Sequence, residues 1–437
     1  MKTKHFIFFI ALWLASANQL FAQEKLTLVD AISIALKNNY DIKLISNEET
    51  IAKNNVNLGN AGILPAAVGT FSTSGSRQNT VQTQSTGTQR ITDGARSTNM
   101  AYGVGLDWTV FDGFRMFAAY DRLKALEQQG QLNSKTQILT TISDVVAAYY
   151  NIAKQQQLVV AADSAIDISN LRLKIANNKL EIGRSSKLDV LTAKVDYNTD
   201  TSNYLQQKNL LGTYQVDLNQ LLARDVNLKF SVDSSLNIDP RLNYTELTTQ
   251  ALQMNPTLQN ALINKKIAEL NLKEVKAARY PQVSLNTGYE FNRSTSPTGF
   301  NTSFRANGLT YGLTANINIF NGFLQRQNER NAKIGISSAA LSLEKTRLDI
   351  GAQLASAYQN YRTYLALVDL ERGNIDIANQ NLDITLEKYR LGSIAPLELR
   401  EAQRNAIEAN SRYVETQYQA KLAEIALKEL TGTLNIQ

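Results

Sequence analysis

The chain has 437 residues, no cysteine, one histidine (His5) and a formal net charge of +6. Beyond His5 it has no imidazole or thiol for a Ser–His or Cys–His pair, or for the usual zinc site, so any catalysis would rest on carboxylates, lysine or tyrosine. Basic residues are interleaved with acids rather than clustered, which gives nucleic-acid binding no support.

The first 22 residues, ending "SANQLFA", combine Lys2 and Lys4, an apolar run from Phe6 to Ala15 and a small-residue site at Ala22. That order predicts a signal peptide over 1–22 with Gln23 as the first mature residue, hence an exported chain. No later stretch approaches about 18 consecutive apolar residues, so no membrane-spanning helix is expected. The absence of cysteine leaves stability to packing or assembly.

A first repeat is predicted over 23–225. It opens with a helix and passes Pro65 into a β-hairpin at about 66–112. The segment "STSGSRQNTVQTQSTGTQRITDGARSTN" (72–99) reads as a polar surface loop. Tyr102, Val104, Leu106, Trp108 and Val110 then alternate with small or polar residues, as a strand does. After "VFDGF" a proline-free stretch predicts a long helix over about 114–181, a tip turn over 182–188 and a return helix over 189–223. At about 1.5 Å per residue the long helix would run about 100 Å. An equatorial linker follows at 226–243.

The second repeat, 244–437, has a helix at 244–279 and a hairpin at about 281–320. Its strands are Val283–Phe291 and Leu309–Ile319, with a polar loop at 292–307. A long helix at about 323–391, a tip turn at 392–396 and a return helix at 397–431 complete it. Leu211, Tyr214, Leu218 and Leu221, with Ala420, Ala423, Leu427 and Leu430, mark coiled-coil seams.

The repeats align residue by residue. A shift of 216 carries Asn39 onto Asn255 and Pro65 onto Pro281; a shift of 209 carries Phe111, Gly113, Gly183 and Leu188 onto Phe320, Gly322, Gly392 and Leu397. Gly113 and Gly322 would permit the sharp turn from strand to helix. The strands, about 9–11 residues long, apolar on one face and aromatic near the ends, match transmembrane barrel strands. Four strands cannot close around a polar lumen, and open edges are not tolerated in lipid. Copies must therefore join. Three supply 12 strands, whereas two would supply eight, a barrel nearly filled by side chains. The expected fold is thus a mixed α/β membrane protein: a homotrimeric 12-stranded barrel continued by an α-helical coiled-coil barrel, with four strands and two repeats per chain.

These features together resemble the TolC-like outer membrane efflux protein family. The carriers are "ALKNN" and "ALQMNP", "FDGF" and "FNGF", and the turns "LEIGRSSKLDVLTA" and "YRLGSIAPLELREA". The resemblance spans nearly the whole mature chain. It implies a passive homotrimeric duct in the outer membrane of a Gram-negative bacterium, extending into the periplasm. Its partners would be a periplasmic adaptor protein and an inner-membrane transporter, with no cofactor. The family's adaptor contacts fall on Ile182, Gly183 and Arg184, and on Leu391, Gly392 and Ser393; ordinary helix C-caps also account for the two glycines. Its pore-gate positions fall on Asp189, Glu398, Glu401 and Tyr389, although acids also favour first helical turns. An arginine that partners the gate in some members is Ile394 here, leaving Arg184, Lys187 or Arg390 as bases for Asp189.

Drug-like small molecules are the expected cargo, with protein secretion as the alternative. A histidine-free mature chain disfavours a soft-metal route. Two other classes compete. An enzyme could use Asp189 with Glu398 or Glu401, but no nucleophile or phosphate cradle accompanies them. A trimeric surface fibre would explain long helices but not two internal hairpins.

Overall fold

The computed structural model describes residues 24–299 and 301–434; the predicted signal peptide lies outside the described residues. The elements in order are β1 (Glu24–Leu26), α1 (Leu28–Asn38), α2 (Tyr40–Asn55), β2 (Ala66–Thr83), β3 (Gln89–Phe111), α3 (Arg115–Glu181) and α4 (Lys187–Leu221). Then come β4 (Phe230–Val232), α5 (Tyr244–Met254), α6 (Pro256–Ala277), β5 (Gln282–Thr295), β6 (Ser303–Asn316), α7 (Leu324–Leu391) and α8 (Pro396–Leu430). Among the described residues no helix is long and apolar enough to cross a membrane. The chain divides into two compact units, one of residues 1–47, 133–259 and 345–437, the other of 48–132 and 260–344.

The first unit is helical, with a small parallel pair, β1 against β4, where the sequence suggested only a linker. Leu26, Phe230 and Val232 from that pair bury against Ile32, Val145, Tyr149, Ile152, Leu218 and Leu222. Removing such side chains from water supplies about 1.5–3 kcal/mol each. Tyr149 ties the pair down: its hydroxyl donates to the Leu26 carbonyl and accepts from the Asp233 N–H, both at 3.1 Å.

Two helices expected to be continuous are broken. Asn39 separates α1 from α2, and Asn255 separates α5 from α6, so the 244–279 helix is two helices. Each asparagine does the same work. Its Oδ1 accepts backbone N–H groups of the next helix, from Asp41 and Ile42 in one case and from Leu258 in the other. Its Nδ2 donates to the last turn of a return helix, to the Leu221 carbonyl at 2.9 Å or the Leu430 carbonyl at 2.8 Å. One side chain thus caps one helix start and satisfies another helix end. Pro256 at the first position of α6 sharpens the second break.

The second unit holds an antiparallel four-stranded sheet of order β2-β3-β5-β6, with β2 and β6 at the edges. The strands are longer than expected: 18 and 23 residues for β2 and β3, and 14 each for β5 and β6. Most of 72–99 and 292–307, read above as loops, is strand; the connections shrink to 84–88 and 296–302. The reason is that backbone pairing does not need an apolar face. Thr80 faces Thr92 and Val81 faces Ile91 in a ladder that satisfies its own N–H and C=O groups. At the other end β6 stops at Asn316, so Ile317 and Ile319 are not in the ladder. Their pairing partner would be Pro281 and beyond, and proline has no N–H to give.

Register sorts the sheet into two faces. Phe71, Tyr102 and Phe291 lie across from one another, as do Val104, Tyr289 and Leu309, and Trp108, Leu285 and Leu313. The Tyr102 and Phe291 rings stack with centroids 4.9 Å apart. The opposite face carries Ser72, Ala101 and Asn292, then Gly103, Glu290 and Gly308. No second layer covers the apolar face: Tyr311 is 82% exposed and Leu313 68%.

Candidate functional site

The two helical hairpins of the first unit end in turns built alike. In the first, Gly183 at φ +70° follows α3; its N–H donates to the Leu180 carbonyl and that of Arg184 to the Lys179 carbonyl. In the second, Gly392 at φ +79° follows α7; its N–H donates to Tyr389 and that of Ser393 to Lys388. Both are Schellman caps, which need a residue in the left-handed region and therefore favour glycine. A Cβ on either glycine would meet nothing within 4 Å, so packing does not require them. Ile182 and Leu391 project beside them, 67% and 83% exposed. Arg184 and Ser393 are exposed as well.

The predicted gate residues occupy distinct environments. Asp189 closes a capping box at the start of α4: it accepts from the Ser186 N–H and from the Ser185 and Ser186 hydroxyls, while Ser186 Oγ accepts from the Asp189 N–H. These bonds, the Ser186 backbone N–H first, hold its carboxyl below the usual carboxylate range. Among the described residues of the chain no basic side chain pairs with Asp189: the serines take the carboxylate, and Arg390 pairs with Glu387 at 2.5 Å. Glu398 occupies the matching place on α8, accepting from the Ala395 N–H at 3.3 Å behind Pro396. Glu401 pairs with Arg404 at 2.7 Å. Tyr389 is buried, and burial raises its hydroxyl pKa. The Lys179 ammonium sits 4.4 Å from the centre of its ring and donates to its carbonyl at 3.2 Å.

Above the turns lies a charged node that sequence reading missed. Arg400 on α8 donates through two nitrogens to Asp200 on α4, at 2.8 and 3.1 Å. Its Nε lies 3.6 Å from Asp196, which also accepts from Arg172 on α3 at 2.9 Å. Gln403 bridges Asp200, at 3.2 Å, and the Ala165 carbonyl, at 3.1 Å. Two arginines and two aspartates thus balance while fastening α8 to the α3–α4 hairpin. The i,i+4 spacing of Asp196 and Asp200 was its visible trace; the arginines lie too far along the chain to announce themselves.

In the second unit the strand-to-helix junctions also match. Gly113 and Phe114 are both left-handed, at φ +72° and +67°, as are Gly322 and Phe323, both at +65°. Phe111 meets Phe114 edge-on at 5.4 Å, and Phe320 meets Phe323 at 5.3 Å. Asp112 and Asn321 cap the helices that follow, accepting from the N–H groups of Met116 and Gln325. Two successive left-handed residues reverse the chain, and each ring pair packs the corner. The junctions differ in clearance: a Cβ on Gly113 would strike the Ala277 carbonyl oxygen, whereas Gly322 faces open space.

The family model described as "Outer membrane efflux protein" matches residues 31–224 and 247–433. Outer membrane efflux protein BepC of Brucella suis is 22% identical over 412 residues, covering 93% of this chain and 86% of BepC. Protein CyaE of Bordetella pertussis is 25% identical over 345 residues, 78% of this chain and 72% of its own. Among solved structures, the Campylobacter jejuni CmeC outer membrane channel superposes with a TM-score of 0.77 at 18% identity, covering 93% of this chain and 85% of CmeC. With its mixed helix and strand architecture, its apolar-faced sheet and its paired helical hairpins, the chain belongs to the TolC-like outer membrane efflux proteins.

Proposed function

We propose that three copies of the chain form a passive exit duct through the outer membrane, joining their sheets into one 12-stranded barrel. The observation that carries this is the sheet itself: an exposed apolar face, a polar opposite face and two unpaired edges, β2 and β6. In lipid such edges must be closed. The helices supply a second reason for assembly. Leu370, Ile377, Ile384 and Leu391 recur every seven residues along α7 and are all exposed, as a seam awaiting a neighbour's helix is.

The tip turns complete the reading. Exposed Ile182 and Leu391, with Gly183, Arg184, Gly392 and Ser393, form the surface for a periplasmic adaptor, which links the duct to an inner-membrane transporter. The carboxylates of Glu398 and Glu401, repeated three times, ring the constriction with Asp189 and favour cations there, and Tyr389, buried among Leu382, Leu399 and Ala406, backs them. The charged node holds the hairpins together, so widening the tip requires breaking it. The cargo is small molecules, and the transporter supplies the energy.

Planar-bilayer conductance tests the duct. The reconstituted protein should give discrete openings whose preference for cations falls when Glu398 and Glu401 are both changed to Gln. Insertion without current in either form would overturn the proposal.

A further inference from the structure

The face of the sheet that carries the apolar side chains also carries four arginines, all toward the hairpin end. Arg77 and Arg96 are register partners across β2 and β3. Arg293 and Arg305 are partners across β5 and β6. Met100 pairs with Arg293, and Arg96 lies four residues outward from Met100 on the same strand, so the ladder puts all four on one face. Phe71, Tyr102 and Phe291 share that face, between the arginines and the helical end.

All four side chains are exposed, and among the described residues none makes an ion pair. Like charges directly opposite destabilise a strand pair; here the arrangement occurs twice. The ribbon from Ser76 to Thr98 holds one acid, Asp93, against three arginines, the third being Arg90. Gly94, in the irregularity of the ladder two residues from Arg96, leaves room for the Arg77 guanidinium, since a Cβ there would lie 3.2 Å from two of its nitrogens. The fold therefore keeps a cost that an outside anion would remove.

The depth of the arginines indicates which anion. Aromatic rows on a lipid-facing surface mark the headgroup level. Arg293 and Arg305 lie one alternation beyond Phe291. Arg77 and Arg96 lie four residues further, about 13 Å along the strand at about 3.3 Å per residue, or about 10 Å of depth at a barrel strand's tilt of about 40°. One tier of phosphate, as in a simple phospholipid, would meet only the inner pair. We propose that the two arginine pairs bind the headgroups of an anionic glycolipid of the outer leaflet, one with phosphate or carboxylate groups at more than one depth. Guanidinium forks suit phosphate oxygens in pairs. The inference rests on the barrel reading, in which the apolar face meets lipid.

The test uses the full-length protein in phosphatidylcholine nanodiscs, with diphosphorylated lipid A, its dephosphorylated form, or whole lipopolysaccharide added, and bound lipid counted by native mass spectrometry. The unaltered protein should hold diphosphorylated lipid A about tenfold more tightly than the dephosphorylated form. Whole lipopolysaccharide should bind more tightly than lipid A, because its inner core reaches the outer tier. Arg77→Gln with Arg96→Gln should lose mainly that lipopolysaccharide advantage. Arg293→Gln with Arg305→Gln should lose lipid A binding about tenfold, while lysine at the same positions retains most of it. Insertion with no preference for phosphate would overturn the inference alone. Failure to enter the nanodiscs would overturn the barrel reading along with it. The comparison of lipids on the unaltered protein needs no variant to fold.

Discussion

Arg400→Ala removes the centre of the charged node. The guanidinium donates through two nitrogens to Asp200, whose side chain is only 9% exposed, and approaches Asp196 at 3.6 Å. Deleting one partner of a buried pair costs about 3–5 kcal/mol. The arginine side chain is itself 23% exposed, and Gln403 still donates to Asp200, so the loss here should be nearer about 2–3 kcal/mol. Asp200→Ala should cost a similar amount, because it leaves Arg400 only Asp196 at 3.6 Å and the Gln403 amide oxygen at 3.3 Å. The double variant should cost much less than the sum, leaving a coupling of about 1.5–2 kcal/mol. Denaturant melts of the detergent-extracted protein, followed by circular dichroism, give all four corners of the cycle. Bilayer recordings on the same proteins should show longer openings for either single variant. A coupling below about 0.5 kcal/mol would refute the assignment of the node as the fastening between hairpins.

Other consequences follow from the same geometry. Gly113→Ala should abolish assembly, because the added methyl strikes the Ala277 carbonyl as well as straining the backbone. Gly322→Ala should cost only the left-handed strain, about 1–2 kcal/mol, and the yield of the assembled protein on native gels separates the two. Asn255→Ala removes a helix cap and the Leu430 contact together and should lower stability by about 1–2 kcal/mol, read from melting curves. Glu398→Gln should keep the cap on α8, since an amide oxygen can also accept from Ala395, yet reduce cation selectivity in reversal-potential measurements. Asp189 titrates below the usual carboxylate range when folded, so its contribution to the first tip turn is complete at neutral pH and fades as the pH falls below about 4. Hydrogen exchange of residues 183–190 should show that acid loosening, and Asp189→Asn should remove its pH dependence.

What the sequence made legible follows from where its signals are local. "FDGF" and "FNGF" recur in register, and the chain passes from strand into helix at both, because an Asp or Asn cap, a left-handed glycine and two packing rings sit within four residues. Ser186 three residues before Asp189 is likewise a local capping pattern, and it would have placed the carboxylate on the serines rather than on a base. Strand extents were not legible: threonine, serine and glutamine without apolar alternation look like loop, and only the register of β2 with β3 reveals them as ladder. The helix breaks at Asn39 and Asn255 depend on carbonyls 182 and 175 residues away. The node draws on Arg172, Asp196, Asp200, Arg400 and Gln403, which no window of sequence contains together.

The number of chains in the lipid-embedded particle tests the account most directly. Native mass spectrometry of the protein extracted in nanodiscs should give three copies and no stable species with fewer. A lone copy that stays in solution without lipid, its sheet edges unpaired, would contradict the account.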